Sequence, residues 1–421
     1  MKKIYCLFYL LPVMFLTGCD EGDDPRIEPE PEPEVQDKVV DLSAEEMANC
    51  YIVQTPGIYK FKADNQFNLG VGLPVPPVIS PVSAGLVWQT EKNSVTYVEL
   101  IETNDKPYIH FEVSEAKGNA LIAAYDSAGE IVWSWHIWMP EQEIEAISTS
   151  TGYDIMNMNL GAVNNKAGDA ASYGMLYQWG RKDPFPASAT ETGTTSTVGA
   201  PLYDINNEPV EIKNSEWTSV ANNTIEYSIA HPTIVLSNYA QYSKSRDWLR
   251  AELSDDTLWG NPEGFYRDAD TNTYPNKGRK TCYDPSPAGW RVAPVDAFRD
   301  FTTSGGYAWV IDDFNIDDVN NDGKKDIDDY NYGWHFLVNK GVSLFFPAAA
   351  RFDGSYAMLM GSMSGLWGSY WSNSPHGTIA GGGFCNLSFQ VKDQAGNDVV
   401  TVSPAAGGSK ADAYSVRCIK D

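Results

Sequence analysis

The chain is short of the side chains that carry most enzyme chemistry. It has five histidines and six cysteines in 421 residues, and 30 basic side chains stand against 56 acidic ones, for a net charge of −26. So strong a basic deficit argues against a nucleic-acid partner, because a phosphate backbone draws its affinity from a positive protein surface. The histidines (His110, His136, His231, His335 and His376) are scattered, and only His376, beside an aromatic run, stands where a ligand would be. There is no Gly-x-Ser-x-Gly elbow, His-Glu-x-x-His pair, P-loop or Cys-x-x-Cys. The chain therefore reads as a binding protein and not as an enzyme. A glycan-processing enzyme of the cell surface is the alternative, since an acidic chain always supplies carboxylate pairs.

What is present favours β structure. A hydrophobic share of 43% and an aromatic share of 12% are ample for packed cores, and the length predicts two globular units. Abundant Gly, Pro, Trp and Tyr, with few long helical periodicities, predicts a mainly β chain. Most of the acid content serves solubility; locally it favours divalent cations.

The N-terminus is an address. Lys2 and Lys3 precede an apolar run, Ile4 to Phe15, too short to span a bilayer comfortably, so residues 1–18 read as a secretory signal. Leu16-Thr17-Gly18-Cys19 resembles a bacterial lipobox, which implies diacylation of Cys19 and anchoring to the outer membrane. Residues 19–38 form an acidic, Pro-rich linker in which Glu and Pro alternate from Glu28 to Glu34, where missing donors and mutual repulsion keep a chain extended as a stalk. Acidic residues directly after the cysteine resemble the surface-export signal of Bacteroidetes lipoproteins, implying an outward-facing protein. An enterobacterial reading of Asp20 would instead imply retention at the inner membrane.

Residues 39–145 show strand alternation. Val95 to Thr103 and Tyr108 to Ser114 flank an Asn104–Pro107 turn, and Asn119 to Tyr125 and Glu130 to Trp138 flank Asp126–Gly129, so two hairpins and an antiparallel β-sandwich are expected. Leu73 to Val82 holds four prolines and must be loop or sheet edge. Trp133, Trp135 and Ile137 share one face of a strand, and Ser134, His136 and Trp138 the other. ANCYIVQTPGIYKF (48–61) and GNALIAAYDSAGEIVWSWHIW (118–138) resemble a module of fimbrillin-type surface proteins.

Residues 150–421 carry four segments that answer one another: YGMLYQWGRKDPFP (173–186), TCYDPSPAGWRVAP (281–294), GLWGSYWSNSP (365–375) and YSVRCIKD (414–421). In order and wording they resemble the "major paralogous domain" of Bacteroidetes surface proteins (FISUMP-like), which implies an α+β C-terminal domain of C-type-lectin-like fold, here with insertions near 186–222 and 311–332. Arg181-Lys182-Asp183 reads as an ionic staple at a turn. Once Cys6 and Cys19 are set aside, Cys50, Cys282, Cys385 and Cys418 allow three complete pairings. The lectin-like resemblance, in which the terminal strand is tied back, implies Cys282–Cys418. Cys385, alternating with Leu387 and Phe389, reads as a core residue.

Inside the second insertion, DVNNDGKKDIDD (318–329) places oxygen donors at every second position around a glycine turn. Calcium takes six to eight oxygen ligands, and a twelve-residue loop can wrap it. Asp318, Asn320, Asp322, the Lys324 carbonyl, Asp326 and Asp329 fill the positions, a spacing that resembles dockerin and EF-hand loops and implies a structural calcium ion. Lys325 at the eighth position and Asp329 at the last depart from the usual pattern. Finally, Trp367, Tyr370, Asn373 and His376 are expected to show stacking faces and hydrogen-bonding groups to a glycan or a fimbrial or other surface protein. The expectation is an adhesin or fimbria-associated accessory protein.

Overall fold

The computed structural model describes residues 39–64, 67, 74–264, 277–376, 383–393 and 395–421, with only the backbone of 383–385. Cys19 and the expected leader and stalk lie outside the described residues, as does the Cys385 side chain. Strand accounts for 37% of the protein and helix for 9%, so it is mainly β. Among the described residues the longest α-helix, Ile225–Ala230, has six residues, and no helix is long and apolar enough to cross a membrane.

Two sheets arise from the N-terminal stretch. Val40–Asp41, Gly57–Lys62, Lys106–Val113 and Val95–Thr103 form the first, in that spatial order. Its hairpin turns on Asn104 and Asp105, both at positive φ (53° and 59°), the geometry that a two-residue turn between right-twisting strands demands. The second sheet centres on Ser83–Gln89, Gly118–Tyr125, Ile131–Met139 and Cys50–Ile52. Here Asp126 makes the turn, its carboxylate accepting the Ala128 and Glu130 N–H groups. Two short strands from the expected insertion, Leu202–Tyr203 and Pro209–Val210, extend this sheet's far edge, so part of that insertion is bound into the structure. Phe61 of the first sheet meets Trp135 of the second at 5.1 Å between ring centres.

The C-terminal stretch adds an eight-stranded sheet whose middle is Met175–Gln178, Ala413–Val416, Trp367–Pro375 and Gly383–Lys392. A separate four-stranded sheet pairs the terminal strand Cys418–Lys420 with both Trp290–Val292 and Asp154–Met156. All four answering segments thus meet: 173–186, 365–375 and 414–416 in one sheet, 290–292 and 418–420 in the next.

Lys38–Asp421 forms one compact unit. Its largest core runs from Ala48 and Trp133 through Trp179, Trp248 and Trp259 to Val416 and Cys418, joining residues up to Met139 with residues from Met156 onward in one cluster. Asn49 is one of the stitches: it accepts a hydrogen bond from Trp133 Nε1 and donates to the carbonyls of Cys282 (2.7 Å) and Asp284 (2.9 Å).

Candidate functional site

The aromatic strand lies inside the protein. Trp367–Pro375 is flanked on both sides by strands of the eight-stranded sheet and covered on both faces, so residues 368–375 are buried without exception. Tyr370 is fully buried beside Phe346 and donates to Pro347 O at 2.6 Å, while Asn159 Nδ2 donates to its hydroxyl. Trp371 points to the opposite face, stacks on Tyr414 at 4.1 Å and donates to Tyr177 O. Asn373, 1% exposed, donates to Val292 O and joins the strand to the 290–294 segment. Trp367 and His376 are half-buried. The guanidinium of Arg351 covers the Trp367 ring at 4.2 Å, and its Nε1 is committed to Ser388 Oγ. The expected recognition face is therefore overturned at Tyr370 and Asn373, whose polar atoms stitch the core; Trp367 and His376, at the two ends of the run, keep part of their surface.

The expected Cys282–Cys418 disulfide is overturned as well, for both are free thiols, as is Cys50. The terminal strand is registered with Cys418 opposite Val292, ten residues beyond Cys282. The Cys418 thiol donates to Ser286 Oγ at 3.2 Å and the Cys282 thiol to Pro74 O at 3.4 Å. Burial pushes both thiols up to about 12 and Cys50 well above its ordinary value, so none is poised as a nucleophile at neutral pH.

Three buried cationic centres hold the C-terminal half. Lys182 Nζ binds Asp183 Oδ1 at 2.7 Å and Ser134 O at 3.0 Å beneath the Trp133 ring, fastening the Gly180 turn to the Ile131–Met139 strand. Burial holds this ammonium below its ordinary value against the pull of Asp183. Ser134 and Lys182 lie together as a nucleophile and base would, but they are 1% and 3% exposed, and their bonds close on one another. Lys410 pairs with Asp247 (2.8 Å) and Asp256; burial pulls its ammonium down, and the two carboxylates outweigh that and hold it above its ordinary value. Arg417, fully buried, spends its donors on Asn159 Oδ1, Met156 O and Phe345 O, and burial pushes it down to about 10. The sequence singled out Arg181–Asp183; it gave no signal for Lys410 or Arg417, whose side-chain partners Asp247, Asp256 and Asn159 lie more than 150 residues away.

The acidic loop is wound as its spacing predicts. Asp318 accepts the N–H groups of Asp322 (3.2 Å) and Gly323 (2.9 Å), Asn320 Oδ1 accepts Asp322 N–H, and Asp322 Oδ1 accepts Lys324 N–H. Asn321 and Gly323, at φ 60° and 85°, make the two sharp bends. Asp326 caps the short turn Ile327–Asp329, and Asp329, 1% exposed, accepts Val319 and Asp326 N–H. Among the described residues no three acidic, imidazole or thiol side chains gather at one point. Asp329 thus closes the loop by itself, while Asp318, Asn320 and Asp322 face solvent or lie near it with lone pairs to spare.

Exposed aromatic rings occur where the sequence reading did not look. Trp217, Tyr239 and Tyr356 come from three separate segments and meet at the surface; Tyr307 and Trp309 form a second pair on one loop. Comparison with family models, with curated proteins and with solved structures finds no match to this chain.

Proposed function

We propose that the chain is a lipid-anchored protein of the outer cell surface that binds an extracellular glycan or protein, as an adhesin or a fimbria-associated accessory protein. One observation carries this reading: the compact unit begins at Lys38, immediately after a leader, an LTGC sequence and an acidic Glu-Pro stretch. That order suits a body tethered through Cys19 by a stalk too proline-rich and too charged to fold onto it. Replacing Cys19 with Ala should move the protein from the membrane fraction to the soluble fraction, and protease added to intact cells should degrade the unmutated protein. Unchanged membrane partition of the variant refutes the anchor, and full protection in intact cells refutes the outward orientation.

The finer architecture belongs to the same proposal. Pairing of the terminal strand with Trp290–Val292 supports a lectin-like closure of the C-terminal stretch, and the Phe61–Trp135 contact between facing sheets supports a sandwich before it. Calcium is the cation that fits the 318–329 loop, held by Asp318, Asn320, Asp322, Asp326, Asp329 and the Lys324 carbonyl. The prewound turn around Gly323 supports this, and the ion would stiffen the exposed half of the insertion.

A further inference from the structure

We infer that Trp217, Tyr239 and Tyr356 form a platform on which the protein stacks neutral pyranose units of a polysaccharide. This deepens the surface-binding reading above, on which it rests, by naming the site and the ligand class. The three rings are 40%, 51% and 43% exposed, and Tyr356 sits between the other two. Trp217 meets it edge to face at 5.3 Å, and Tyr239 lies tilted by 40° at 5.7 Å. The result is a shallow corner of ring faces rimmed by phenol hydroxyls.

The corner is built and held. Ser237 Oγ donates to Ser355 O at 2.6 Å and Asn238 N–H to Gly354 O at 3.0 Å, locking the Tyr239 segment to the Tyr356 turn. Ser237 N–H donates to Ser215 Oγ at 2.7 Å, which brings in the Trp217 segment. Directly after Tyr356, buried Ala357 takes φ 54°, a left-handed conformation that costs a non-glycine residue free energy and persists only when its surroundings impose it.

Preorganisation selects among occupants. A pyranose face covers little area and cannot offset the ordering of loose loops, so a site for it must be rigid beforehand. A folded protein partner buries far more surface, about 800 Å² on each side, than three rings present. Here every exposed large apolar side chain in 211–246 and 351–360 is aromatic. Ring faces match the C–H face of a sugar, and the hydroxyl rims match its equatorial hydroxyls.

The test is affinity electrophoresis of the full-length protein in mild detergent, through native gels containing a β-glucan, an α-glucan, an α-mannan or a galactan. Retardation by at least one polysaccharide is expected. Trp217→Ala and Tyr356→Ala should each weaken it about tenfold or more, equivalent to about 1.4 kcal/mol. Trp309→Ala, at the separate Tyr307–Trp309 pair, should leave it unchanged. Passage through all four gels without delay overturns the platform, as does equal retardation of a Trp217→Ala/Tyr356→Ala double variant that melts like the parent. Capture of a protein partner that is lost in Trp217→Ala, without glycan binding, overturns it in favour of protein docking. Protein that is protease-accessible on cells yet indifferent to every polysaccharide loses the platform and keeps the surface reading. Protein shielded in intact cells loses the surface reading, while the gels still decide the platform.

Discussion

His136 shows what one residue contributes when a strand is covered on both faces. Its Nε2 lies 2.8 Å from Asn119 Oδ1 and its Nδ1 3.3 Å from the Tyr177 hydroxyl. Asn119 Nδ2 is already donating to Gly161 O, so Asn119 Oδ1 accepts and Nε2 carries the proton of a neutral ring. Burial pushes the imidazole down to about 3. Between that value and the ordinary 6.5 the unfolded chain takes up a proton that the fold refuses. Stability supplied by the neutral ring is therefore complete above about pH 6.5 and drains away as pH falls toward 3, by on the order of a few kcal/mol. His136→Gln should lose this part of the acid limb. Urea midpoints of parent and variant, compared at pH 7, 5 and 4, should converge as pH falls. Buried Asp284 and Asp412, raised by burial, act in the opposite sense, which is why the difference between the two proteins is the quantity to read. Parallel pH curves would exclude His136 as the source.

At the scale of the element, the 318–329 loop separates what local sequence encodes from what it leaves open. Side chains at every second position and a glycine at the bend dictate the Asx-type winding, and it forms from contacts within five residues for Asp318, Asn320 and Asp322. Calcium at about 100 times its Kd should add ~2.7 kcal/mol, raising the melting temperature by a few degrees; Asp318→Ala with Asp322→Ala should remove that increment. Equal melting in calcium and in chelator would leave a loop held by Asp329 alone. The two N-terminal hairpins were legible for the same reason: alternation and turn residues are local. Trp367–Pro375 was not. Its residues read as an aromatic run offering stacking faces, and nothing within them tells a solvent-facing run from a strand flanked by Gly383–Lys392 and Ala413–Val416. The cysteines failed in the same way, since the register that sets Cys418 against Val292 is a property of the assembled sheet. The Trp217, Tyr239 and Tyr356 corner left no signal because its members are far apart in the chain and acquire meaning only where they meet.

At the scale of the whole molecule, the question is whether residues 39–145 and 150–421 behave as separate units. Composition and turn spacing divide them there; the packing joins them. Ile131–Met139 buries Trp135 against the first sheet, while its other side meets the C-terminal stretch: Ser134 with Lys182 and Asp183, His136 with Tyr177, and Trp138 Nε1 with Ala162 O. A fragment ending at 145 would turn this side to water, exposing an indole and removing the Tyr177 hydroxyl from His136 Nδ1. It would also lose the carbonyls that Asn49 binds across the junction. Each such loss carries the desolvation cost of an unpaired group or the transfer cost of a large ring, and a small sheet pair has little stability to spare. The expected outcome is that the complete protein unfolds in a single calorimetric transition with matching calorimetric and van't Hoff enthalpies. The fragment 39–145 should bind a hydrophobic dye and melt without a cooperative step. A fragment that keeps its near-ultraviolet tryptophan spectrum and melts sharply would show that the shared core is a docking of two finished bodies. Residues 39–421 would then be two independent modules in place of one.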